Sequence, residues 1–310
     1  MNGKFPPLVS VIVPTFNSQE TISTCIDSIL NQTYKNIEII VIDNNSKDDT
    51  RESVSQFKVK LLVAGPERSA QVNLGVKSAS GKYVYRVDSD FLVGPDVIRE
   101  CVEACEGNHL DGMVVRNVSD SRVSFWARVR KFERDMHQES ESNVAVRFVK
   151  REIWSDLGGL DENLIAGEDY DFHERFRNSG HTFGLTTSHE LHLNEPRSLA
   201  EVAVKHYYYG KSILKYIRKN PLSASIKLDP MRAVRPRNRR FFRDPVIIGG
   251  YVMYQLVRYT ATVLGVISTL SHHPASPQKM QSFCLLIDAT AYPHRTSSQL
   301  WFDFRHPNEI

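Results

Sequence analysis

Over its first ninety residues the chain alternates between two hydrophobic patterns. Residues 8–13 are a short apolar, β-branched run closed by Pro14. Ile22, Cys25, Ile26, Ile29 and Leu30 then recur at the i, i+3, i+4, i+7, i+8 spacing of one helical face, with Asn17 or Ser18 as the expected cap. Residues 37–42 are a second apolar run with almost no polar alternation, as in a strand buried on both faces of a parallel sheet. An Asx- and Ser-rich stretch over 44–50 predicts a loop and the start of a helix. Residues 59–63 predict a third strand, 69–79 a helix stopped by Gly81, and 82–87 a fourth strand. This beat belongs to βαβ units with right-handed crossovers, so the fold class is α/β, a mostly parallel sheet flanked by helices.

The alternation then loosens. A helix opened by Pro95 runs to residue 105, and 112–115 form a strand. Helices are predicted over 124–137, 171–178 and 198–219, with extended segments over 144–149 and 181–193. Residues 246–270 are apolar with a single charge, Arg258, and are long enough to cross a membrane. Tyr251, Gln255, Arg258, Thr262 and Thr269 nevertheless mark a polar stripe, which suits a helix lying in the membrane interface or packed against a partner. Just ahead, Lys227, Arg232, Arg235, Arg237, Arg239, Arg240 and Arg243 stand against only Asp229, a run that fits an anionic membrane surface. The domain reading is a catalytic domain over 1–220, a basic linker over 221–245, the apolar helix, and a tail over 271–310 with no assigned role.

With 310 residues, 41% hydrophobic and 24% charged, the chain can bury a full core, which excludes global disorder. Cys25, Cys101, Cys105 and Cys284 are too few and too scattered for a disulfide framework and are expected as free thiols in a reducing compartment. No long apolar run precedes the first strand, so no secretory leader is expected, and the protein is placed at the cytoplasmic face of a membrane. The arginine run beside Phe241 and Phe242 admits a nucleic-acid-binding reading, but acidic strand ends would repel a phosphate backbone, and no nucleic-acid partner is expected. No GxGxxG follows the first strand, against a dinucleotide-dependent dehydrogenase.

In an open α/β sheet, ligands bind where the strands present their carboxyl ends. Three of these strands end in Pro14-Thr15-Phe16-Asn17, Asp43 and Asp88-Ser89-Asp90. Two carboxylates one residue apart at the end of a buried strand repel one another unless a cation or donors sit between them. Mg²⁺ or Mn²⁺ holding a nucleoside diphosphate meets that need. Asp43 is placed to accept from a base or ribose, and Arg68 and Asn73 to meet the diphosphate. Glu168 and Asp169 crowd the start of a helix whose dipole stabilises them, and a carboxylate there can take the proton of an attacking sugar hydroxyl.

The chain resembles family 2 glycosyltransferases over residues 8–215. The resemblance rests on five motifs in family order: Val11-Ile12-Val13-Pro14-Thr15-Phe16-Asn17; Val41-Ile42-Asp43-Asn44-Asn45-Ser46-Lys47-Asp48-Asp49-Thr50; Glu67-Arg68-Ser69-Ala70-Gln71-Val72-Asn73-Leu74-Gly75; Asp88-Ser89-Asp90; and Gly159-Leu160-Asp161-Glu162 with Gly167-Glu168-Asp169. It implies a GT-A fold and inverting, metal-dependent transfer from a UDP- or GDP-linked sugar. Asp169 would be the catalytic base, with Glu168 its neighbour. Pro14, Thr15, Asn17, Asp43, Asn45, Arg68, Asn73, Asp88 and Ser89 would line the donor site. Asp88 and Asp90 would be the metal-binding pair, Asp90 the direct ligand, and His192, with His189 equally near, would approach the metal. The acceptor would be a lipid-linked or surface glycan; transfer to a polyprenyl phosphate, whose oxygen needs no base, is the nearest variant. The chain departs from the family in having Asn44 where many relatives have a second acid, and Val72 where an Arg often precedes Asn73.

Overall fold

The computed structural model describes residues 6–137, 145–227 and 244–270. Most of the basic run, over 228–243, and the tail over 271–310 lie outside the described residues. The described residues fall into two compact units, the first within 6–118, 145–163 and 167–194, the second within 119–137, 164–166, 195–227 and 244–270.

The first unit holds an eight-stranded sheet in the order β3-β2-β1-β4-β7-β6-β8-β5. Strands β1 (Val9–Thr15), β2 (Ile37–Asp43), β3 (Lys60–Val63) and β4 (Tyr83–Arg86) pair in parallel, with Thr15 opposite Asp43, so the polar ends of the first two strands lie side by side. The remaining strands, β5 (Phe91–Val93), β6 (Gly112–Ser119), β7 (Phe148–Lys150) and β8 (Phe183–His192), correct the mostly parallel expectation to a mixed sheet. β7 runs antiparallel to both β4 and β6, and β5 runs antiparallel to β8. β5 has only three residues and follows the Asp88–Asp90 turn, too short a signal to separate from the strand before it.

Period-two alternation splits the sheet's side chains between two cores. Val9, Val11 and Val13 of β1 pack with Ile22, Cys25, Ile26 and Ile29 of α1 (Ile22–Leu30) and with Ile98, Cys101 and Cys105 of α4 (Val97–Gly107). Ile12 of β1 and Ile40 and Ile42 of β2 pack instead with Val72 and Val76 of α3 (Arg68–Lys77), Trp154 of α6 (Arg151–Asp156) and Phe172 and Phe176 of α7 (Glu168–Asn178). Each fully buried aliphatic side chain contributes roughly 1.5–3 kcal/mol relative to exposure. α2 (Thr50–Ser55) follows the loop predicted after Asp43. The expected side-chain cap of α1 does not form. Thr21 and Ile22 donate their backbone N–H groups to Ser18 O at 3.0 and 2.9 Å, while Asn17 Oδ1 accepts from Lys47 N at 2.9 Å.

The second unit is helical: α5 (Phe125–His137), α8 (Leu199–Lys219), α9 (Pro221–Lys227) and α10 (Pro245–Leu270). Trp126 and Val129 of α5 and Leu199, Val202 and Ala203 of α8 form a core with Tyr251, Tyr254, Val257 and Ala261 of α10. Among the described residues no helix is long and apolar enough to cross a membrane. Two members of α10's polar stripe meet α5 within this unit: Arg258 Nη1 donates to Glu133 Oε1 at 2.6 Å and Gln255 Nε2 to the same oxygen at 3.2 Å.

α8 and α10 cross closely through paired glycines. A Cβ at Gly265 would lie 2.2 Å from Tyr207 O, and one at Gly210 would lie 2.3 Å from Thr262 O. Backbone cannot yield as a flexible side chain can, so overpacking here forces the helices apart. Gly265→Ala is therefore expected to destabilise the protein by about 1–3 kcal/mol, measured as a lower urea midpoint at constant slope; an unchanged midpoint contradicts the close crossing.

Candidate active site

The loops after β1 and β2 are tied together at the carboxyl edge of the sheet. Asn44 N donates to Thr15 O at 2.9 Å, Asn17 N to Ser46 Oγ at 2.9 Å, and Ser18 N to Thr50 Oγ1 at 2.7 Å. Asn17 and Asn45 both adopt positive φ, 46° and 54°, where Asn is the most tolerant non-glycine residue. Asp43 is fully buried, and both its oxygens accept from Ser46, Oδ2 from the backbone N at 2.9 Å and Oδ1 from the hydroxyl. Its observed role is to close this loop. Gln71 reaches from α3 to donate to Thr15 O at 2.9 Å and Ile42 O at 2.6 Å, locking the two strand ends.

Asp88 is the hub of the site. Arg147 Nη2 donates to Asp88 Oδ2 at 3.0 Å, Arg68 Nη1 lies 3.5 Å from the same oxygen, and Arg86 Nε lies 3.7 Å from Oδ1. Each arginine also holds a second acid: Arg147 pairs with Glu190, Arg68 with Glu168, and Arg86 Nη2 lies 3.6 Å from Asp169 Oδ2. Three guanidiniums thus stand among four carboxylates. Burial alone would raise the Asp88 carboxyl, but Arg86, Arg68 and Arg147 outweigh it and hold the group well below the usual carboxylate range.

Glu168 and Asp169 occupy the first turn of α7, entered through Gly167 at φ 84°, a left-handed conformation that suits glycine. Their environments push them in opposite directions. Burial, reinforced by the Asp169 charge, raises Glu168, which is 1% exposed, despite its ion pair with Arg68. Burial also works against ionisation of Asp169, but Arg86, Arg68 and Arg147, with the Tyr170 N–H donating to Oδ1 at 2.9 Å, pull it below its ordinary value. The arginines thus favour the ionised form of Asp169 more strongly than burial allows for Glu168.

Asp90 is placed differently. Its Oδ2 lies 3.3 Å from His192 Nε2, and its side chain is about a quarter exposed. The contact follows from topology: β5 and β8 register Phe91 opposite His192, and Leu193 N donates to Asp90 O at 2.9 Å. An oxygen and an imidazole nitrogen fit a hard divalent ion that keeps water and takes its remaining ligands from phosphate. Among the described residues no group of three or more His, Cys, Asp or Glu side chains is arranged to hold a metal on its own. Asp88, the other member of the expected pair, is here neutralised by arginines.

Asn73 ties two elements together: Nδ2 donates to Leu160 O and Glu162 Oε1, both at 2.9 Å, and Oδ1 accepts from Leu160 N at 2.9 Å, fastening α3 to the Gly159–Glu162 turn. Ser89 Oγ meets Ser18 Oγ at 2.9 Å, and Pro14 sits inside buried β1. Sequence reasoning missed Arg86, Arg147 and Glu190. The available signal was a charged residue interrupting an apolar strand, as Arg86 does within Tyr83-Val84-Tyr85 and Val87.

The profile of glycosyl transferase family 2 matches residues 10–157. Glycosyltransferase AglE of Haloferax volcanii is 25% identical over 223 residues, 66% of this chain and 72% of AglE. The UDP-Glc:alpha-D-GlcNAc-diphosphoundecaprenol beta-1,3-glucosyltransferase WfgD of Escherichia coli is 42% identical over 88 residues, 27% of this chain but only 35% of WfgD. In fold, the chain is similar to the mannosyltransferase PcManGT of Pyrobaculum calidifontis, solved with GDP-Man and Mn²⁺, at a TM-score of 0.55 and 16% identity over 98% of this chain and 85% of that one. Residues 10–157 thus match the glycosyl transferase family 2 profile, the fold is GT-A-like, and the protein is a glycosyltransferase.

Proposed function

We propose that the protein transfers a sugar, with inversion at the anomeric carbon, from a UDP- or GDP-linked donor to a hydroxyl of a lipid-linked or surface glycan at the cytoplasmic face of a membrane. The observation that carries the reading is Arg86, which joins the Asp88 hub to Asp169 and so holds the donor-side and acceptor-side carboxylates in one array. The UDP-Glc donor and diphosphoundecaprenol-linked acceptor named for WfgD, and the GDP-Man bound to PcManGT, support the substrate classes.

In this reading the strand-end loops around Thr15, Asn17 and Asp43 take the nucleoside. Arg68, 40% exposed at the start of α3, faces the diphosphate. A divalent cation at Asp90 and His192 would supply the Lewis acidity that neutralises charge on the departing diphosphate. Asp169, kept ionised by Arg86, accepts the proton of the acceptor hydroxyl as its oxygen attacks the anomeric carbon opposite the leaving group. Glu168, tied to Arg68, positions the start of α7 and does not touch the acceptor.

Release of UDP or GDP from a panel of nucleotide sugars tests the proposal, with product anomers assigned by NMR. Acceptor-dependent release with inverted configuration is expected; retained configuration contradicts a single displacement. Asp169→Asn should lower kcat by about 10²–10⁴-fold while donor Kd and Tm stay near wild type; a wild-type rate removes Asp169 from the base role. Chelation by EDTA is expected to cut turnover about 10²-fold or more, with recovery on adding Mn²⁺ or Mg²⁺. Full activity in EDTA contradicts the metal reading. Arg86→Lys keeps the charge but shortens the bridge, so kcat should fall at least about tenfold with donor KM little changed. Equal losses in kcat and donor affinity would instead mean a general collapse of the site.

A further inference from the structure

Helix α10 carries apolar side chains on two faces. On the inner face Tyr251, Tyr254, Val257 and Ala261 are buried, Gln255 Nε2 donates to Tyr251 Oη at 2.6 Å, and Arg258, the helix's single charged residue, is held by Glu133. A second set of apolar positions faces outward. Val246, Met253, Leu256, Val263, Ile267 and Leu270, spaced by three, four or seven, are 47–67% exposed. Eight of the thirteen large hydrophobic side chains exposed among the described residues lie on this one helix, which makes a continuous apolar face rather than scattered surface hydrophobes.

The orientation is enforced from inside. Glu133 is 4% exposed and pairs with Arg130 as well as Arg258. Turning α10 to bury its outer apolar face would bring Arg258 out and leave Glu133 with less compensation in an apolar surround. The outward face is therefore fixed.

We infer that this face lays α10 sideways on an anionic lipid bilayer, with its axis along the surface and its aliphatic side chains among the upper acyl chains. The buried polar side holds the helix against α5, so it rests on the membrane rather than crossing it. The exposed aliphatic positions carry no charge that would fix the register of a protein partner. Residues 227–243, immediately ahead in sequence, hold seven Lys and Arg against one Asp, a density that anionic headgroups complement and a second copy of this near-neutral chain does not. The inference rests on the membrane-surface part of the proposed function and not on its chemistry.

Vesicle flotation of the full chain, without donor or acceptor, tests it, so failure here leaves the sugar-transfer reading intact. Wild type should float with phosphatidylcholine vesicles containing phosphatidylglycerol, weakly with phosphatidylcholine alone, and less in high salt. A Leu256→Glu, Val263→Glu variant should bind at least about tenfold more weakly with an unchanged melting temperature, while Leu256→Ile, Val263→Leu binds as wild type. Undiminished binding by the Glu variant overturns the inference. So does a wild type that ignores vesicles but sediments as a dimer that the Glu variant dissociates, which would assign the face to a second copy.

Discussion

The site depends on the neutralisation of buried acids by arginines radiating from Asp88. Arg86 is the critical member, 3% exposed on a buried strand. Its Nε and Nη2 have no hydrogen-bond partner among the described residues, so it acts on Asp88 and Asp169 by charge at 3.6–3.7 Å. A lone buried guanidinium costs several kcal/mol, and the Asp88 and Asp169 carboxylates are the acids nearest Arg86 that offset it. Arg86 is thus shared between the two, while Asp88 keeps Arg68 and Arg147 beside it.

The sheet delivers these groups to one place. β4 lies between β1 and β7, which brings Arg86 beside Arg147 through the Arg86 N to Arg147 O bond at 3.0 Å. The short β5 then turns back along β8 and places His192 against Asp90, while Glu190 of β8 accepts from Tyr85 Oη at 2.9 Å. Parallel strands present the nucleoside loops, and antiparallel strands present the charged hub. This division of labour explains why the mixed topology matters to chemistry.

Much of this was legible in the chain. Uninterrupted apolar runs gave β1 and β2, and helical periodicity gave α1, because both report burial directly. Asp88, Asp90, Glu168 and Asp169 could be singled out because carboxylates at buried strand and helix ends demand compensation. The identity of the compensating charge was not legible. Arg147 is 59 residues from Asp88, and only the β4–β7 pairing brings them together. The same limit applies to α10, whose polar stripe was visible in the sequence while its inward direction depended on Glu133 in α5. The hydrogen bonds of Asn73 to Leu160 and Glu162, 87 and 89 residues away, were likewise hidden until the fold brought that turn to α3.

The coupling between Arg86 and Asp169 is the most direct measure of this arrangement. A double-mutant cycle on kcat, comparing Arg86→Met, Asp169→Asn and the combination, isolates it. If Arg86 serves catalysis by holding Asp169 as a carboxylate, the double variant should be no slower than Asp169→Asn alone. If the two losses multiply independently, Arg86 does not act through Asp169, and the arginine hub is not the organising element of the active site.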